Sequence, residues 1–283
     1  MEFVTLNNGV KMPAVGFGVY QVRDQKACEQ AVSDALEVGY RSIDTASSYM
    51  NEEAVGRAIR DSGVRREDLF ITTKLWVQDY GYDKTLKAFD VSMKKLGLDY
   101  LDLYLMHKPY NDYYGAWRAM ERLYNDGVIR AIGVTSFWSE RLADLVACNE
   151  IKPAVNQIET NVWNQKWAEA EYMKEVGVQH EAWAPFAEGQ KDVFANPVLQ
   201  QIARKHGKTT GQVQLRWLNQ RGVVVIPKSV HKERMAENLN IFDFSLDDAD
   251  MEVIRSLDTK TSPIYDEMDP HIAASIAAMK IHE

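Results

Sequence analysis

The chain alternates between short apolar runs and longer segments whose apolar residues recur every three or four positions. A short apolar run reads as a strand buried on both faces, and the longer period reads as an amphipathic helix. The opening stretch alternates around Asn7-Asn8-Gly9, a hairpin signal, because Asn-Gly supplies the positive φ angles of a tight turn. From there a strand-then-helix unit repeats. Strands are predicted at 15–19, 41–45, 69–74, 101–107, 129–136, 154–159, 179–184 and 223–227. The following helices are predicted at 24–38, 52–61, 82–96, 114–125, 140–148, 166–175, 210–220 and 231–241, the seventh reached through a longer loop. Gly39, Gly63, Gly97, Gly127 and Gly177 stand just past periodic segments, where helices stop.

Eight such units predict a parallel α/β sheet closed into a (β/α)8 barrel, the TIM-barrel arrangement, rather than an open sheet. No composition shift or linker divides residues 1–283, so one barrel domain is expected. An extra helix is predicted over 247–257, with Leu246, Ala249, Val253 and Leu257 on its apolar side. Residues 258–283 read as a polar tail ending in an Ala- and Met-rich segment. Two courses are open to it: across a mouth of the barrel, or partial disorder.

Composition narrows the function classes. The 46% hydrophobic and 26% charged residues are ordinary for a globular protein. A net charge of −8 argues against nucleic acid and anionic membranes as partners. No apolar run approaches the roughly 18 residues of a membrane span, and the N-terminus lacks a secretion signal. A cytoplasmic monomer acting on a small molecule is expected. Cys28 and Cys148 form no metal or redox spacing, so two reduced thiols and no metal site are expected.

The candidate chemistry lies where strands give out. Asp44 closes Tyr40-Arg-Ser-Ile-Asp, with Tyr49 five residues on; Lys74 closes Leu69-Phe-Ile-Thr-Thr-Lys; His107 closes Leu101-Asp-Leu-Tyr-Leu-Met-His. In a (β/α)8 barrel the residues just past the strands form the catalytic face. A lysine cation near a phenol stabilises phenolate and lowers a tyrosine pKa from its usual value of about 10. Asp44 would keep that lysine charged, Tyr49 could pass a proton to a carbonyl oxygen, and His107 could orient the carbonyl or relay the proton. Singly, each residue has a plainer reading: Tyr49 as packing, Asp44 as a helix cap, Lys74 as a surface cation, His107 as a structural residue. Their joint placement on consecutive strand ends favours chemistry.

Several motifs resemble the aldo-keto reductase family, in particular its small bacterial aldehyde and diketo-acid reductases. They are Gly39-Tyr-Arg-Ser-Ile-Asp-Thr-Ala-Ser-Ser-Tyr49-Met-Asn-Glu, Thr73-Lys74-Leu-Trp76, Leu103-Tyr-Leu-Met-His107 and Ala154-Val-Asn-Gln157-Ile-Glu159. Ile226-Pro-Lys228-Ser229 follows, with Arg234, Glu237 and Asn238. The resemblance covers nearly the whole chain. It implies a (β/α)8 barrel that uses NADPH to reduce a carbonyl, with Tyr49 as general acid, Lys74 and Asp44 tuning it, and His107 orienting the substrate. It further implies a cofactor bound extended, without a Rossmann fingerprint. Gly16-Phe-Gly18 agrees, because it lacks the further glycine of G-x-G-x-x-G.

By the same resemblance, Gln157 and Ser136 hold the carboxamide and Trp183 stacks on the nicotinamide ring. Lys228, Ser229 and Arg234 grip the 2′-phosphate, which is the contact that discriminates NADPH from NADH. Glu237 and Asn238 meet the adenine, and Gly18, Val19, Tyr20, Asp44 and Phe186 complete the cofactor set. Tyr20, Tyr49, Trp76, His107, Lys108 and Tyr110 are implied on the substrate side, with Trp183 next to them.

The chain departs from the family pattern at four places. Ser-Asn after the fifth strand reads Thr135-Ser136, the stacking Tyr is Trp183, the following Ser is Ala184, and Lys108 stands where a Trp is usual. Lys108 has two open roles. It points to solvent, or it offers a cation to an acidic substrate and disfavours protonation of His107. Two other functions are compatible with the fold: a non-catalytic NADPH-binding regulatory or redox-sensing protein, and an isomerase or aldolase using Lys74 as a Schiff-base nucleophile.

Overall fold

Apolar runs pair in the order they occur along the chain in the computed structural model, which describes residues 2–283. A two-stranded antiparallel hairpin, β1 (Phe3–Thr5) and β2 (Lys11–Pro13), comes first. Eight parallel strands follow: β3 (Phe17–Gly18), β4 (Ser42–Asp44), β5 (Phe70–Leu75), β6 (Leu103–Met106), β7 (Ile132–Thr135), β8 (Val155–Glu159), β9 (Gln179–Trp183) and β10 (Val224–Val225). The sheet closes on itself where Val15 pairs in parallel with Val225. At that seam the Gly16 amide donates to the Val225 carbonyl at 2.8 Å, and the Gly18 amide to the Pro227 carbonyl at 3.2 Å. A Cβ built on Gly18 would stand 3.0 Å from the Ile226 carbonyl oxygen, so the seam itself favours glycine there.

The helices are α1 (Gln25–Val38), α2 (Glu52–Asp61), α3 (Tyr82–Leu96), α4 (Tyr113–Asn125), α5 (Ser139–Cys148), α6 (Trp167–Val176), α7 (Pro197–His206), α8 (Thr210–Gln220), α9 (Lys232–Leu239), α10 (Asp248–Arg255) and α11 (Pro270–Ala278). Asp24 caps α1 by accepting from the Ala27 amide, and Gly39 stops it at φ 118°. Among the described residues no helix is long and apolar enough to cross a membrane.

One expectation changes and one open choice is decided. The long loop predicted after β9 contains α7, started by the Asn196 side chain accepting from the Val198 and Leu199 amides, with Pro197 at the first helical position. The tail takes the first of its two courses. It carries α11 and lies across the barrel mouth, where Trp76 Nε1 donates to the Met279 carbonyl at 2.9 Å and Gln78 to that of His282 at 2.8 Å.

Strand alternation divides the core. Ile71, Tyr104, Met106, Ile132, Val134, Ile158 and Ala182 belong to the large cluster between the strands and the helices. The intervening Phe70, Leu103, Leu105, Val155 and Val224 pack instead with Leu6 and Met12 of the hairpin. The hairpin thereby plugs the lower mouth of the barrel. Following each inward row upward by twos, Phe70 leads to Lys74, Leu105 to His107, and Val155 to Gln157. The inward rows change from apolar to ionisable toward the upper mouth, and there the site lies.

Candidate active site

Register aligns three polar inward residues, Thr135 opposite Gln157 and Gln157 opposite Glu181, while Lys74 lies opposite Leu105. Lys74 is fully buried, and its ammonium pairs directly with the Asp44 carboxylate. It also donates to the Thr45 carbonyl at 3.0 Å and lies 3.4 Å from the Tyr49 hydroxyl. The other Asp44 oxygen accepts from Gln157 Nε2 at 3.0 Å, and the same Nε2 donates to Glu181 at 2.8 Å. A 3-10 turn over Ser47–Tyr49 brings Tyr49 over the strand ends, with no side-chain cap. The reading of Asp44 as a helix cap therefore gives way, because its carboxylate is engaged inside the barrel.

Tyr49 meets His107 edge-on with ring centroids 5.5 Å apart, and Tyr20 lies 5.0 Å away on its other side. Trp76 stands edge-on to His107 at 5.2 Å. Ser48 Oγ is 3.2 Å from His107 Nδ1. Burial and then Lys74 and Lys108 hold the His107 pKa well below the ordinary histidine value, so its ring is neutral near pH 7. Burial first, then Asp44, pushes the Tyr49 pKa well above the ordinary tyrosine value. This reverses the expected lowering by Lys74. The lysine charge is engaged by Asp44, and desolvation of a phenolate outweighs what remains.

Lys108 is 7% exposed, which excludes the solvent-facing role. Its ammonium pairs with Glu267 of the tail and donates to Ser136 Oγ at 2.9 Å and the Tyr265 hydroxyl at 3.0 Å. Burial works to lower its pKa, but Glu267 and Tyr265 outweigh it and raise the value. Ser136 sits at φ 57°, a strained conformation for serine, and its hydroxyl donates to Glu267 at 2.6 Å. Tyr265 stacks beside Trp183, with centroids 6.2 Å apart and planes at 22°. Tyr110 reaches the Glu267 carbonyl at 3.5 Å. Two residues assigned to the nicotinamide by resemblance, Ser136 and Trp183, thus already touch the tail.

A second group forms beyond the seam. Lys228 and Arg234 are exposed, and neither pairs with a carboxylate among the described residues. Ser229 accepts the His231 amide at 3.0 Å where α9 begins. Glu237 is half-buried on α9 and Asn238 buried. Phe186 and Asn238 converge on Gly211, where a Cβ would lie 3.7 Å from each. Val19 lies on the inner side of this group, its amide on the Asp44 carbonyl at 3.1 Å and its own carbonyl accepting from Asn51 at 3.1 Å.

Three residues of the site escape sequence reasoning: Glu181, Tyr265 and Glu267. Glu181 could have been found, because it is two residues before Trp183 and so shares its face of β9. Burial first, then Asp44, raises its pKa to about 8. Tyr265 and Glu267 carried no local signal.

Comparison with known proteins bears on the family and the fold. The family model described as aldo/keto reductase family matches residues 14–259. The chain is 50% identical over 270 residues to a glyoxal reductase of Bacillus subtilis (strain 168), covering 94% of this chain and 97% of that protein. A crystal structure of an aldo-keto reductase enzyme from a Medee basin deep-sea metagenome library matches with a TM-score of 0.92 and 46% identity, over 95% of this chain and 99% of that one. The Bombyx mori aldo-keto reductase crystallised in complex with NADP matches with a TM-score of 0.89 and 36% identity, over 95% and 96% of the two chains.

Proposed function

The chain belongs to the aldo/keto reductase family, and from that premise we propose that it reduces a small aldehyde, α-dicarbonyl or keto acid to the alcohol with NADPH. The observation that carries this reading is the position of Tyr49. Its hydroxyl lies 3.4 Å from a lysine held by Asp44, and its ring meets His107. A phenol kept protonated by burial is a proton donor ready at neutral pH.

Tyr49 gives its proton to the carbonyl oxygen, and Lys74 offsets the charge left on the phenolate. Asp44 holds Lys74 in place, and Gln157 fixes the second Asp44 oxygen. With the Ser48 hydroxyl donating to His107 Nδ1, the neutral ring carries its proton on Nε2 and can donate to the same carbonyl oxygen. NADPH, when bound, supplies a hydride to the carbonyl carbon. The exposed, carboxylate-free Lys228 and Arg234 suit its 2′-phosphate, Phe186 and Asn238 its adenine end, and Gln157 and Trp183 its nicotinamide end. The NADP complex of the Bombyx mori relative supports the cofactor, and the glyoxal reductase relative supports small carbonyl substrates. Commitment of Lys74 to Asp44 works against the Schiff-base reading, which needs a free amine.

The test is NADPH oxidation against a panel of aldehydes, α-dicarbonyls and keto acids. Turnover of at least one class is expected; a folded protein inert to all of them would return the regulatory reading. In the second group, Arg234→Ala is expected to weaken NADPH about tenfold to a hundredfold, the worth of one charge-assisted hydrogen bond. NADH should be little affected. Titration of the two nucleotides by protein fluorescence separates them, and equal losses would remove Arg234 from the 2′-phosphate.

A further inference from the structure

Glu267 meets Lys108 across 159 residues of sequence, deep in the barrel mouth, with side-chain exposures of 6% and 9%. An ammonium has three N–H donors. Those of Lys108 go to Ser136, Tyr265 and Glu267, and none is left over. Lys74, the other ammonium beside His107, is committed to Asp44 and the Thr45 carbonyl. Both ammonium groups beside His107 are therefore already paired within the protein. Burial raises the pKa of Glu159, and the nearby Glu267 charge adds to that rise.

A carboxylate brought next to the reacting carbonyl would lose its water and find both Lys74 and Lys108 taken, while facing Glu267. We propose that Glu267 is a specificity-determining residue, a tethered carboxylate that fills the Lys108 site and restricts the enzyme to uncharged carbonyl compounds. The inference rests on the reductase reading and narrows its substrate class. Neutral aldehydes and α-dicarbonyls reach Tyr49 and His107 with the cluster intact. A keto acid must displace Glu267 from Lys108 or lie desolvated and unpaired, and either raises its KM.

Two aldehydes of closely similar shape and different charge test this: para-nitrobenzaldehyde and para-carboxybenzaldehyde, each followed by NADPH oxidation. The wild-type protein is expected to favour the nitro compound. Glu267→Gln leaves Lys108 charged and without its carboxylate, and should raise the relative kcat/KM for the carboxylate about tenfold to a hundredfold, the worth of one charge-assisted hydrogen bond. Glu267→Asp keeps the anion and should keep the discrimination. Adding Lys108→Met to Glu267→Gln should restore a ratio near wild type, because the cation is gone. Thermal unfolding of each variant checks that the ratios come from folded protein.

A wild-type protein that reduces the carboxylate as well as the nitro compound overturns the proposal without any variant. So does a ratio that Glu267→Gln leaves unmoved, or one that shifts equally with Lys108→Met present. If wild-type protein reduces neither aldehyde, the reductase reading fails and takes this inference with it. Reduction of the nitro compound with an unmoved ratio overturns the inference alone.

Discussion

Tyr49→Phe is expected to lower kcat about a hundredfold to ten-thousandfold, the usual contribution of a positioned proton donor, and to leave NADPH affinity nearly unchanged. The substitution removes one oxygen and leaves the ring between Tyr20 and His107. Lys74 keeps Asp44 and the Thr45 carbonyl as partners, so no buried charge is orphaned. A fall in kcat with unchanged cofactor binding is the signature of a group acting on the transition state. Steady-state kinetics with the best carbonyl of the panel and a fluorescence titration with NADPH give both quantities. Wild-type turnover in this variant would sink the assigned mechanism. Lys108 and His107 do not replace the phenol: the first is held by Glu267, and the second is neutral and offers only a hydrogen bond.

Lys74→Met is expected to cost stability as well as turnover. The pair it breaks is buried on both sides, and removing one partner leaves Asp44 charged in a low-dielectric interior. Such losses run to about 3–5 kcal/mol. The double variant Lys74→Met with Asp44→Asn removes the orphaned charge, so it should recover most of that stability while remaining nearly inactive. Urea unfolding midpoints of the wild type, single and double variants test the first point, and initial rates test the second. A single variant as stable as the double would mean that Asp44 is not held as a charge. Recovery of turnover in the double variant would mean that Lys74 is not needed beside Tyr49.

The strands were legible because buried parallel strands leave continuous apolar runs. Asp44, Lys74 and His107 were legible because each breaks such a run at its end. Helix α7 lies within the predicted long loop, although Asn196-Pro197 and Gly207 bracket Leu199, Ile202 and Ala203 with proper start and stop signals. Its basic last turn, Arg204-Lys205-His206, is a further helix-stop signal. Lys108 shows the firmer limit. Its neighbours in sequence are a histidine and a proline, but its charge is decided by Glu267, 159 residues away. Long-range pairing of that kind leaves no periodicity to read. The direction of the Tyr49 shift failed for a related reason: a pair can be guessed from spacing, but the dielectric around it comes from the packed walls.

The seam between β3 and β10 has a consequence for how the molecule is made. Residues 14–18 and 223–227 complete the ring together, so the first barrel strand waits for its second neighbour until four-fifths of the chain has left the ribosome. Until then β3 and β9 each present an unpaired edge, the kind of surface that recruits other chains. Synthesis that pauses before residue 227 therefore holds the nascent protein in its most aggregation-prone form, and chaperone demand should be greatest at that length.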